Sequence, residues 1–76
     1  MVTAGMTPRD AVRQLEARLT AAGCPDADYD AAELFRLVTG RDVRLADAPL
    51  PEAQAVRLES LCLRRETREP LQYLCG

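Results

Sequence analysis

Apolar residues recur along this chain at the three-and-four spacing of amphipathic helices, and nowhere with the strict alternation of a strand. Ala11, Val12, Leu15, Leu19 and Ala22 share one face of a segment running from about Pro8 to Ala22. Its start is marked three times over: Thr7 offers a hydroxyl to an exposed amide, Pro8 has a backbone angle suited to a first helical position, and Asp10 lies in the positive first turn. Gly23 is the natural left-handed stop. A second helix is predicted from about Asp28 to Thr39, with Ala31, Leu34, Phe35 and Val38 in register and Gly40 ending it. Pro51 opens the longest one, which reaches about Thr67 and carries Ala55, Leu58, Leu61 and Cys62 on its core stripe.

Between the last two, the stretch Arg41 to Ala48 has only Val43 and Leu45 as large apolar groups, which predicts one or two helical turns and then a loop through Pro49. Pro70 forbids continuation from upstream and restarts a final turn bearing Leu71, Tyr73 and Leu74. The expected fold is therefore all-α, a small bundle of four to five short helices over residues 7–76, preceded by a disordered N-terminal tail over residues 1–6.

The stripes leave several residues over. Arg65 projects onto the face of Leu58 and Leu61, where a guanidinium must either meet a carboxylate or carbonyls, or extend along its own stem to water. Asp30, at the edge of the second helix's apolar face, is the candidate partner for a structural ion pair with Arg65. Val56 and Leu63, seven residues apart, point away from the core stripe as a second thin apolar line. Single exposed apolar groups are ordinary; with Tyr73 and Leu74 these two form a candidate surface for a partner or a second domain. Arg64 and Arg68 stand beside that surface in a basic cluster diluted by Glu66 and Glu69, and cations near a helix C-terminus are favoured by its dipole in any case.

Composition narrows the function. Seventy-six residues, 47% apolar and 29% charged, suit one small domain, which hides only about 60% of its unfolded surface and has little room for a large internal pocket. The net charge is −2 although all ten basic residues are arginine, so there is no general positive field and nucleic acid is disfavoured. Histidine is absent, which removes the commonest general base and metal ligand. Cys24, Cys62 and Cys75 lie too far apart for paired metal or redox spacing and read as reduced thiols of a cytoplasmic protein. MVTAGMTPRD has no signal-peptide core, and no stretch is long and apolar enough to span a bilayer. No glycine-rich nucleotide loop, P-loop or Ser-His-Asp set occurs, and Asp26 and Asp28 sit in a turn where capping accounts for them. No catalytic, cofactor-binding or metal-ligating residue is assigned.

The order T-x-x-D-A at 7 to 11, LEARLTAAG at 15 to 23, D-A-A-E-L-F at 30 to 35 and V-T-G at 38 to 40, followed by L-x-x-L-C-L-R-R at 58 to 65 and E-P-L-Q-Y-L-C-G at 69 to 76, resembles the N-terminal helical domain of the release-factor glutamine methyltransferases, the HemK/PrmC family. The resemblance implies a parent enzyme that moves a methyl group from S-adenosylmethionine to the side-chain amide of a glutamine in the G-G-Q loop of a peptide-chain release factor. It also implies that the tail leads through a linker into a Rossmann-like methyltransferase domain with an N-P-P-Y motif, so that these residues are a cut-out domain. The implied share of the helical domain is non-catalytic: it recognises the release factor and supports its own methyltransferase domain. The segment from Gly40 to Leu50 matches the family only loosely, and Cys24 and Cys75 match none of its motifs.

Two other readings compete. A DNA-binding module could place a helix-turn-helix at Gly23 or Gly40, but the second helix sets Arg36 against Asp28, Asp30 and Glu33, the wrong charge for a recognition helix. A dimerisation bundle would use Val56, Leu63 and Tyr73 as a self-complementary patch.

Overall fold

Thr7 lies just outside the first helix with extended backbone, and its hydroxyl accepts the Asp10 amide at 3.2 Å, so the sequence start signal acts as a true cap. The computed structural model describes residues 1–67 and forms three helices there: α1, Pro8–Ala21; α2, Ala27–Thr39; α3, Glu52–Glu66. No strand occurs among the described residues. The structure is thus all-α, as the spacing predicts.

The helix number differs from the four to five expected. Residues 41–48 make no helix: Leu45 and Ala46 donate to the carbonyls of Asp42 and Val43 at 2.9 and 3.3 Å, and the chain then leaves the turn. The cause is local, because Asp42 Oδ1 accepts the Arg44 amide at 2.9 Å and so draws the backbone into an Asx-type turn that competes with helix. The final turn expected after Pro70, with Leu71, Tyr73 and Leu74, lies outside the described residues.

Gly40 ends α2 with φ 73°, its amide on the Arg36 carbonyl at 2.8 Å. Gly23 turns the chain after α1 with φ 86°.

The helices run up, down, up. α1 and α2 are joined by a short turn. Residues just before α1 and α3 pair, Gly5 and Leu50 through N–H···O at 2.9 Å and Leu50 and Met6 at 3.0 Å, so these two helices start side by side. The N-terminal end of α2 meets the C-terminal end of α3 through Asp30 and Arg65. Inside, Leu15 and Leu19 of α1, Leu34 and Phe35 of α2, and Leu58 and Cys62 of α3 are almost wholly buried, with Ala11, Ala31, Ala55 and Leu61 around them. Val12 and Val38 pack against this core but stay partly open.

The N-terminal tail also differs from expectation. Residues 1–6 are not a free tail in the structure: Val2 is 2% exposed and closes one side of the core, and the backbone bonds to Leu50 hold the segment in place. A single valine has no periodicity to announce it, and its partners lie far along the chain.

Candidate functional site

α3 is the helix around which the charges of the bundle are arranged. Its buried stripe, Ala55, Leu58, Leu61 and Cys62, faces the other two helices. On the edge toward α1 stand Glu59 and Glu66. Arg18, from α1, grips Glu59 in fork geometry, Nη1 to Oε1 at 2.6 Å and Nη2 to Oε2 at 2.9 Å, and its Nε donates to Glu66 Oε1 at 2.9 Å. The Val2 amide adds a fourth donor, 2.9 Å from Glu59 Oε1. Hydrogen bonds from Arg18 hold the Glu59 carboxyl below its usual range, and the same bonds raise Arg18 further above its own.

On the edge toward α2 the polarity is reversed. Arg65 Nε and Nη2 both donate to Asp30 Oδ2, at 3.1 and 2.8 Å, and Asp30 is only 6% exposed. The structure therefore brings Asp30 and Arg65 together as a partly buried ion pair. Arg18 carries the same signal in the sequence as Arg65, but its carboxylate partners are identified by the structure. Arg18 lies three residues beyond Leu15, seven beyond Ala11 and four before Ala22, an arginine inside an apolar stripe.

The side of α3 opposite the core faces water. Val56 is 62% and Leu63 52% exposed there, and Arg64 is exposed beside them. Arg68, Tyr73 and Leu74, grouped with them in the sequence reading, lie outside the described residues.

The reactive inventory is small. The Cys62 thiol is pushed up to about 11, chiefly by burial, so it stays protonated at neutral pH and is a poor nucleophile. Asp42 is held down at about 2 by Arg44, whose Nε and Nη2 donate to its two oxygens at 3.2 and 2.9 Å. Among the described residues no group of three or more His, Cys, Asp or Glu side chains could hold a metal ion, and no helix is long and apolar enough to cross a membrane. A groove of about 410 Å³ runs between the end of α2 and the 46–51 loop, lined by Phe35, Pro49, Leu50 and Gln54 with Arg41 and Asp47 at its rim. Thr39, which also lines it, has its hydroxyl turned to the Phe35 and Arg41 carbonyls at 2.9 and 3.3 Å. Such an arrangement can hold a shape and present a surface.

Comparison with protein families matches residues 10–76 to the PrmC N-terminal domain. Comparison with curated proteins and with solved structures returned no match.

Proposed function

The chain belongs to the family of PrmC N-terminal domains, and from that premise we propose that it is the non-catalytic protein-recognition domain of an S-adenosylmethionine-dependent methyltransferase that modifies the G-G-Q glutamine of a peptide-chain release factor. The observation that carries this reading is the family match over residues 10–76. The physical logic of such a division is that a glutamine amide is chemically ordinary. Selecting one glutamine among all others needs binding energy collected far from the reacting atom, and a rigid bundle supplies it.

The donor belongs to the companion domain in this reading. The described residues form no strand leading into a glycine-rich turn, and the groove beside α2 offers no cradle of that kind, so they do not fit S-adenosylmethionine and no step of the transfer is assigned to them. What the chain contributes is placement. Arg18, Glu59 and Glu66 fix α3 to α1, Asp30 and Arg65 fix it to α2, and the outer face of α3, with Val56, Leu63 and Arg64, is presented in a set orientation to the release factor or to the methyltransferase domain. The cytoplasm, where release factors work, is the corresponding compartment.

Calorimetry tests the assignment directly. The chain is titrated with a peptide-chain release factor and, separately, with S-adenosylmethionine. Saturable heat with the release factor and none with the methyl donor is the expected result; tight uptake of the donor by this chain alone would overturn it.

A further inference from the structure

The outward face of α3 repeats in sevens. Ala53 and Ser60 occupy one line of the seam, and Val56 and Leu63 the next, with Arg57 and Arg64 along one border; all six are exposed, and Ala53 and Ser60 are the small side chains among them. The opposite border of the same seam is acidic, but Glu59 and Glu66 on it are turned to Arg18 inside the bundle. A heptad seam with one basic border thus remains on the surface.

Resting on the reading that this chain recognises a protein, we propose that this seam docks a partner helix whose apolar ridge is bordered by carboxylates. Large side chains of the ridge would sit over Ala53 and Ser60, and the carboxylates would face Arg57 and Arg64. Charge decides against a second copy of this chain. Two such helices packed antiparallel set the arginine borders against each other, and packed parallel they set each arginine border against acids of which Glu59 and Glu66 are already held by Arg18.

The test uses the chain labelled with ¹⁵N and two synthetic helical peptides that share one leucine heptad ridge, the first bordered by glutamate and the second by lysine. The glutamate peptide is expected to bind about fivefold more tightly, a preference of the size exposed charge pairs give, with amide shifts concentrated on the outward side of α3. In Arg57→Glu/Arg64→Glu the order of the two peptides inverts, and Leu63→Ser weakens both; unchanged helical signal by circular dichroism shows that these surface variants remain folded. Equal affinity for the two peptides, shifts centred elsewhere, or a concentration-dependent dimer abolished by Leu63→Ser would each overturn the proposal. Release-factor binding that persists without any acidic preference sinks this inference and leaves the proposed function standing, whereas loss of release-factor binding alone sinks the latter.

Discussion

Replacing Glu59 with glutamine keeps the outline of the side chain and removes its charge. In the native bundle the carboxylate accepts from Arg18 Nη1 at 2.6 Å, Arg18 Nη2 at 2.9 Å and the Val2 amide at 2.9 Å. Glutamine can still accept through its one oxygen, but its amide nitrogen faces Nη2 as donor against donor. Hydrogen bonds to a charged group contribute about 1.5–3 kcal/mol and neutral ones about 0.5–1.5, so one bond is lost outright and the Val2 bond, now between neutral groups, weakens by about 1 kcal/mol, while the Arg18 Nη1 bond keeps its charged donor. Some of this is returned by water, because the side chains of Arg18 and Glu59 keep 20% and 14% of their exposure, and Glu66 stays on Arg18 Nε. The expected cost is about 2 kcal/mol, or a fall in Tm of roughly 8–16 °C for a domain of this size. Urea titration followed by helical circular dichroism measures it, with an unchanged slope showing that the unfolded state is the same. The pH dependence is a second check. Since folding lowers the Glu59 pKa, its contribution is complete above the unfolded carboxyl value of about 4.5 and is lost as pH falls through the lower folded value. The gap between the native chain and Glu59→Gln is therefore full at pH 7 and closes in acid. A cost below about 0.5 kcal/mol at pH 7, the range of an exposed pair, or a gap that persists unchanged into acid, would refute the role given to this centre.

Arg65→Met leaves the Asp30 carboxylate buried without its two guanidinium donors and should cost about 3 kcal/mol, part of it recovered when Asp30→Asn is added; equal stabilities for Arg65→Met and the double variant would deny the coupling. Gly40→Ala meets no neighbour within 4 Å but forces a side chain onto φ 73°, so a loss of about 1 kcal/mol in thermal melts is expected from backbone strain alone. The Asp42 carboxyl should titrate below the ordinary aspartate range by NMR and move up toward it in Arg44→Gln, with a loss of stability at pH 7 no larger than an exposed pair gives. The Cys62 thiol should resist alkylation at pH 8 in the folded chain and react at the rate of an ordinary thiol in urea.

Much of this architecture was legible in the sequence because it depends on neighbours in the chain. Helix starts and stops rest on Thr7, Pro8, Gly23 and Gly40, and the core stripes rest on spacing, so both are local and both are found at the expected places. What escaped is long-range. Val2, Cys24 and Leu50 are buried by packing against residues dozens of positions away, and no pattern around them signals it. The 41–48 segment failed for a different reason: its two apolar residues permit a helical turn, but one aspartate side chain offers the backbone a competing partner. Arg18 was legible in principle, by the argument applied to Arg65, whereas its carboxylates Glu59 and Glu66 could be named only once α1 and α3 were known to lie side by side.

The two charged centres also answer a question that apolar stripes leave open. Three helices running up, down and up can close around a core with either handedness, and the burial of Leu15, Phe35 and Leu58 would be much the same in both. The charges would not. α1 brings a cation to the C-terminal half of α3 and α2 brings an anion, and on α3 the acids Glu59 and Glu66 look one way while Arg65 looks the other. Exchanging α1 and α2 around α3 would set Arg18 beside Arg65 and Asp30 beside Glu59 and Glu66, leaving like charges together in partly buried positions where each unpaired ion costs several kcal/mol. The arginines that look misplaced on the apolar stripes therefore select one closure of the bundle. That selection also decides which strip of α3 stays outside, and so which residues the bundle can present to a partner.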